Sequence, residues 1–319
     1  MIDFRYHVVS IIAVFLALAI GLVLGSAVFG SPLLNSVKGH VKAVRDTNSH
    51  LRAQIDELSQ VAAADREFAE AVEPRLIDGA LAGRSIVFIE IAGTNSTMVN
   101  DLRDDVEKAG GRVTGTISLT DKFALDSAPD RDQLGLIVDA APAKLSTLRA
   151  RAGSQLGQRL AAASKPQIRG GIADEVGPGK RLKLLLNDLE QGGFISVGAG
   201  TGPSMVPTNA LFLVAAGDSQ PTSYNASNLV VPLVKRIAGG RAGVVTVAPT
   251  DTTWRVIQDV HSDGFASTRV STVDDADTLP GRIATVLTLA TAEETPGQNY
   301  GTGEGATAII PTPSATPSG

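Results

Sequence analysis

A long apolar segment close to the N-terminus decides how this chain can be arranged. Val8–Phe29 reads VVSIIAVFLALAIGLVLGSAVF and contains no charged residue. Because a helix of roughly 20 apolar residues crosses the core of a bilayer, the segment predicts a membrane-spanning helix. A short, weakly basic leader, Met1–His7, precedes it. A secretory signal peptide has a shorter apolar core and a more positive start, so an uncleaved anchor is favoured over cleavage near Gly25.

Small residues recur along one face of this predicted membrane helix. Ala13, Ala17, Gly21 and Gly25 are four residues apart, and the last two form a GxxxG motif. Such residues let two helix backbones approach closely in lipid, where no hydrophobic force drives helices together. Glycine and alanine are also common in membrane helices generally, so the motif by itself leaves self-association open.

Residues 33–72, directly after the apolar segment, have the heptad pattern of a coiled coil. Position a falls at Leu34, Val41, Asn48, Ile55 and Ala62, and position d at Val37, Val44, Leu51, Leu58 and Asp65. β-branched residues at a with leucine at d favour two parallel strands, and a single asparagine at a, here Asn48, fixes the register. A single amphipathic helix packed on its own globular domain is the alternative.

We therefore predict a parallel homodimer held together by the stalk and the membrane helix. The predicted interface consists of Ala17, Gly21, Gly25, Val41, Val44, Asn48, Leu51, Ile55 and Leu58. Ser31 and Pro32 suit the N-cap and the first position of a new helix, so a break at Gly30–Pro32 is expected between the membrane helix and the stalk. Pro74 is expected to end the stalk.

Residues 83–294 predict an α/β domain with a mainly parallel sheet. A buried strand at 84–91, an amphipathic helix at 94–109 and a second strand at 112–119 form a strand–helix–strand unit, which requires parallel strands. Further strands are expected at 194–197, 211–215 and 243–247, with helices at 145–163, 180–191 and 229–238. A loose insertion is expected around 126–180. Residues 295–319 are rich in Gly, Thr, Pro and Ser and predict a disordered tail.

Few residues suggest chemistry. The chain has no cysteine and a net charge of −5, which excludes thiolate chemistry and gives no reason to expect nucleic acid. His261 has no catalytic partner at a recognisable spacing, and the acidic run Asp274–Asp277 lacks the pattern of an EF-hand, so a strand-end turn is expected there. Copper prefers Cys, Met and His. These residues are scattered, so we predict neither a catalytic nor a cofactor site, and we leave open a copper site shared by two stalks at His40.

Three parts of the chain resemble the mycobacterial copper transport protein family, MctB. They are VFLALAIGLVLGS at Val14–Ser26, STVDD at Ser271–Asp275 followed by PGRI at Pro280–Ile283, and YGTG at Tyr300–Gly303. The resemblance implies an actinobacterial envelope protein, with outer-membrane association, that takes part in copper homeostasis or export, copper being its transported ion. Related proteins of the family are linked instead to envelope remodelling at division, where they act with a membrane partner to stimulate a cell-wall hydrolase. A dimeric stalk fits this alternative, a non-enzymatic periplasmic interaction module, and suits the recruitment of a partner.

The resemblance also decides the expected orientation. Lys38, Lys42 and Arg45 follow the apolar segment, whereas Arg5 precedes it, so the positive-inside rule alone would place the large domain in the cytoplasm. The family implies the opposite, a domain outside the cytoplasmic membrane. No copper ligand carries over, because the matching segments contain no soft donor. A self-contained β-barrel pore is not expected, since the pattern mixes helices with buried strands.

Overall fold

A computed structural model describes most of the chain: residues 4–140, 142–166, 177–198, 205–217 and 224–311. Residues 4 and 26–37 are described by their backbone alone. The chain divides into two compact units, Met1–Glu67 and Phe68–Gly319.

The N-terminal unit consists of helix α1, which spans Phe4–Ile77 and so continues into the second unit. Its segment Arg5–Gly25 has a mean hydropathy of 2.9 and is unburied, and it is long and apolar enough to cross a membrane. The predicted break at Gly30–Pro32 is wrong, because the helical backbone runs through it. Glycine and proline disfavour a helix by about 1 and 3 kcal/mol, a local cost that cooperative helix on both sides offsets.

The second unit is built on one sheet. Within the described residues its strands are β1 (Ser85–Glu90), β2 (Arg112–Leu119), β3 (Ile195–Val197), β4 (Leu211–Ala215), β5 (Val244–Val247), β6 (Ser271–Val273) and β7 (Asn299–Tyr300). Their order is β3-β2-β1-β4-β5-β6-β7, and neighbours are parallel except for β3, which pairs antiparallel with β2 at one edge. The predicted α/β class with a mainly parallel sheet is therefore confirmed.

Helices cover both faces of this sheet. After α1, the described α-helices are α2 (Ser96–Lys108), α3 (Ala128–Ile137), α4 (Leu145–Ala163), α5 (Pro178–Gln191), α6 (Ser227–Gly239), α7 (Val256–Ser262) and α8 (Leu279–Thr291). One core lies under α3 to α7, and the other lies under α2, α8 and the end of α1. In β1, Ile86 and Phe88 enter the second core, whereas Val87 and Ile89 enter the first. Burial on both faces explains the uninterrupted apolar run of this strand.

The described residues of the segment predicted as a loose insertion contribute to the first core. Leu148, Leu156 and Leu160 of α4 are buried. Gly153 and Gly157 bring α4 against α6 so closely that a Cβ would lie 2.1 Å from Leu229 O and 2.3 Å from Leu233 O respectively. The prediction of a loose insertion is wrong. Glycine weakens an isolated helix, but in α4 the two glycines permit close packing against α6.

The limits of the folded domain also differ from the predicted 83–294. Ile77 and Leu81 are buried, because α1 ends at Ile77, one turn beyond Pro74, and its last turn packs in the second core. At the other end, β7 pairs with β6. The predicted disorder of 295–319 is thus wrong as far as Pro311, since backbone pairing orders a polar sequence that an apolar pattern cannot reveal. Residues 312–319 lie outside the described chain.

Candidate functional site

The predicted dimer interface lies on the exposed surface of α1. Among its large apolar residues, exposure ranges from 44% for Val41 to 69% for Leu58, and Asn48 is exposed between them. Residues three and four apart share one side of a helix, so these side chains form an apolar stripe, which we call the stalk stripe: Val41, Val44, Asn48, Leu51, Ile55 and Leu58. The structure places the stripe at the surface but contains no second chain, so the dimer stays a prediction.

The small residues of the apolar segment lie on the same helix. Ala17 and Gly21 are exposed, and Gly25 is half-buried. A Cβ added at Gly21 or Gly25 would meet no atom within 4 Å. The packing of this chain therefore does not require glycine at either position. Contact with another helix in the membrane would give the GxxxG motif a physical role.

The soft metal donors are dispersed over the described residues. His40 and His50 are exposed on α1, whereas Met98 and Met205 are buried in the two cores of the second unit. His261 is used structurally: its Nε2 lies 3.0 Å from Thr272 Oγ1 and 2.9 Å from Asn299 Oδ1. Within the described chain, no three His, Asp or Glu side chains are grouped so that they could hold a metal ion.

The acidic run after β6 forms a turn, as predicted. Asp274 Oδ1 accepts hydrogen bonds from the backbone N–H groups of Thr302 (2.8 Å) and Gly303 (3.0 Å), which fastens the C-terminal segment. Asp277 Oδ1 accepts from the backbone N–H (2.7 Å) and the hydroxyl (2.9 Å) of Thr250. These two carboxylates join neighbouring loops at the carboxyl edge of the sheet.

Asp275 differs from its two neighbours in the run because it is buried. It is 1% exposed, and its Oδ1 has no hydrogen-bond partner among the described atoms. Burial, followed by the nearby charges of Asp274 and Asp277, raises the pKa of Asp275 from 3.8 to about 6. Gly281 makes room for this aspartate, since a Cβ there would lie 1.9 Å from Asp275 O. Sequence reasoning could not reveal this burial, because three aspartates at a strand end are typical of an exposed turn.

The described loops at the usual ligand position of such a sheet contact each other. Parallel α/β sheets bind ligands where the strand order reverses, here between the carboxyl ends of β1 and β4. Thr94 Oγ1 donates to Ile91 O (2.6 Å) and Ala215 O (3.0 Å), which joins the two loops. A Cβ at Gly217 would lie 2.4 Å from Gly93 O. The described parts of the two loops are thus in contact through their backbones.

An ionic cluster holds the end of α1 within the second unit. Lys108 Nζ lies 3.3 Å from Glu73 Oε1 and 2.8 Å from Asp105 Oδ1, and Arg282 Nε lies 2.7 Å from Asp105 Oδ2. Arg282 also pairs with Asp101. Burial and the neighbouring Asp105 raise the pKa of Glu73. The cluster joins α1, α2 and α8, and sequence spacing could not reveal it because its members come from three separate segments.

Comparison with known proteins identifies the family of this chain. The sequence profile of the family described as "Copper transport outer membrane protein, MctB" matches residues 1–311. A protein of Mycobacterium tuberculosis named "Copper transporter MctB" is 30% identical over 319 residues, covering 97% of this chain and 99% of that protein. One of Mycobacterium leprae with the same name is 31% identical over 330 residues, with the same coverage. The match runs from the N-terminal helix through β7, so this chain belongs to the MctB family.

Proposed function

We propose that this protein is a single-pass, membrane-anchored envelope protein that takes part in copper homeostasis, and that it acts as a parallel homodimer without catalysing a reaction. The observation that carries the proposal is the match of residues 1–311 to a family described by copper transport in the outer membrane. The relatives that bear the transporter name are similar over almost their full length. The domain would lie outside the cytoplasmic membrane.

The anchoring is supported by the unburied apolar segment Arg5–Gly25. The side chains of residues 5–24 are all exposed, so nothing in the described chain covers them. A bilayer would remove this surface from water, and each buried methylene contributes about 0.8 kcal/mol. The same segment, left in water, would be a large exposed apolar patch of the kind that soluble monomers rarely show.

The homodimer is supported by the stalk stripe. The partner that covers this stripe is a second copy of the chain, because β-branched residues at position a with leucine at position d fit two parallel strands. Asn48, in the middle of the stripe, would pair with the same residue of the second copy and hold the register. A parallel arrangement also puts both membrane helices on the same side, where Gly21 and Gly25 allow a close approach.

Copper handling is best tested in cells. In a strain without the gene, we expect total cell copper to rise at a fixed external copper concentration, with normal cell shape. The wild-type gene should restore the copper level. Leu51→Asp should not, since it places a charge in the stalk stripe, whereas Ala53→Asp, on the opposite side of the same helix turn, should restore it. Unchanged copper in the deletion strain would contradict the proposal.

The dispersed soft donors favour a second candidate function. Copper prefers Cys, Met and His ligands, and among the described residues no group of three or more His, Asp or Glu side chains could hold a metal ion. A dimeric module that recruits an envelope partner and regulates a cell-wall hydrolase at division needs no copper ligand. Cells that keep normal copper but form chains or divide wrongly would favour this function over copper homeostasis.

A further inference from the structure

A basic groove crosses the outer surface of the helices above the first core. It has a volume of about 870 Å³ and is lined by residues of α3 to α6 and the loop after α3. Four arginines line it, Arg151 and Arg159 from α4, Arg181 from α5 and Arg236 from α6, whereas Asp139 is the acid among its described lining residues. We call this feature the arginine groove. Its positive charge is local, because the whole chain carries a net charge of −5.

The arginines are arranged in an ordered row. Arg151, Gln155 and Arg159 follow one another at steps of four along α4, so they share one face of the helix. Gln155 Nε2 donates to Val138 O at 2.7 Å, which attaches this face to the end of α3. Within the described chain, no ion pair is recorded for Arg151, Arg159 or Arg236. Guanidinium groups brought together in this way attract an anion, and phosphate oxygens fit their paired N–H donors.

The row is too long for a single anionic group. Arg151 and Arg159 are eight residues apart, which corresponds to about 12 Å along a helix axis. The groove also shares lining residues with two neighbouring hollows. It shares Arg159 and Arg181 with a hollow of about 170 Å³ and Arg236 with one of about 630 Å³, which Lys165 and Lys235 also line. A concave path of this kind fits an extended chain better than the flat surface of a bilayer.

We propose that the arginine groove binds a linear polymer that carries repeated phosphate groups. Successive phosphates of one strand would contact Arg151, Arg159 and Arg236, with Arg181 beside them. The polar lining, which includes Ser154 and Gln155, adds neutral hydrogen-bond donors between the charges. Because the contacts are electrostatic and open to solvent, the binding weakens as the salt concentration rises.

The test uses the full chain in a non-ionic detergent, with short-chain linear polyphosphate as the probe and isothermal titration calorimetry as the measurement. The triple variant Arg151→Gln, Arg159→Gln, Arg236→Gln should bind at least roughly tenfold more weakly, since each residue loses its charge-assisted contacts. Arg112→Gln is the matched control, because Arg112 is exposed on β2 and does not line the groove. It should bind like the wild type.

Two further titrations identify the kind of ligand. Inorganic phosphate and a soluble short-chain phosphatidylglycerol each offer one phosphate, so both should bind at least tenfold more weakly than polyphosphate. Equal binding of either one would overturn the proposal, and tight binding of the lipid would point to a membrane surface instead. Wild-type affinity in the triple variant would also overturn it. If that variant fails to fold, Arg151→Gln and Arg236→Gln, both at exposed positions, give the same test singly.

Discussion

Replacing Asp275 by asparagine should make the protein more stable at neutral pH and less stable in acid. The side chain is 1% exposed, and burial with the nearby carboxylates of Asp274 and Asp277 raises its pKa from 3.8 to about 6. In the folded state the carboxyl therefore holds its proton up to a higher pH than in the unfolded chain. Between these two values the folded state binds more protons, so stability falls as the pH rises through this window.

The size of the stabilisation follows from the rise in the pKa of Asp275. A pKa that moves from 3.8 to about 6 corresponds to a cost of about 3 kcal/mol for the ionised carboxylate, fully present above pH 6. Asparagine has nearly the same shape and no charge, so Asp275→Asn removes this cost. Its amide N–H groups need acceptors in a buried place, which offsets about 1 to 2 kcal/mol. The expected net gain at pH 7.5 is about 1 to 2 kcal/mol, or roughly 2 to 8 °C in melting temperature.

The assay is thermal and urea unfolding of the full chain in non-ionic detergent, followed by circular dichroism at pH 7.5, 6.0 and 4.0. The gain of the variant should fall steadily with the pH and become a loss of about 1 kcal/mol at pH 4.0, because the wild-type carboxyl becomes neutral while the amide N–H groups of the variant still need acceptors. Asp104→Asn, at an exposed position on α2, is the control and should show no such trend. A difference that stays constant from pH 7.5 to 4.0 would refute the assignment of the effect to the buried charge.

Three further predictions test the packing, the dimer and the ionic cluster. Gly157→Ala should lower stability by about 1 to 3 kcal/mol, because its Cβ would meet a backbone oxygen of α6 at 2.3 Å; Gly179→Ala, with nothing within 4 Å, is the control in the same thermal assay. Leu51→Cys should form a disulfide-linked dimer on mild oxidation and Ala53→Cys should not, as gel electrophoresis would reveal; chains that stay monomeric would contradict the stalk register. Arg282→Ala should cost about 3 kcal/mol in urea unfolding, since it leaves a buried carboxylate of α2 without one of its cations, and a loss below 1 kcal/mol would count against the cluster.

Local apolar periodicity predicts the elements of this fold well. The bounds of β2, α4 and β4 agree with the sequence-based ranges, since each is a run whose burial pattern is set by its own residues. The predictions that are wrong concern residues whose packing partners are distant in the chain. Gly157 looks like a helix breaker until α6, more than 70 residues later, packs against it. The polar segment around β7 looks disordered until Asp274 and β6 pair with it.

The stalk stripe depends on residues close together in the chain, whereas the arginine groove and buried Asp275 depend on distant ones. The stalk stripe is visible in the sequence because heptad spacing lies within one helix. The arginine groove was missed, although Arg151, Gln155 and Arg159 recur at a helical step that could have been noticed. Arg181 and Arg236 could not be added to that row, since only the packing of α4 with α5 and α6 brings them into one cavity. Burial of Asp275 likewise depends on the close approach of Gly281 and Gly301, which are not its neighbours in the chain.

The positions of the soft donors connect the dimer to the question of copper. His40 and His50 are ten residues apart on α1, about 15 Å along a helix axis, so one stalk cannot bring both to a single ion. In a parallel dimer, each histidine lies at the same level as the same histidine of the second copy. His40, at heptad position g, lies beside the predicted interface, whereas His50, at position c, lies away from it. If copper is held between two stalks, His40→Ala should reduce the copper retained by the purified dimer after desalting, and His50→Ala should not. Equal retention in both variants would contradict a copper site at His40 between two stalks.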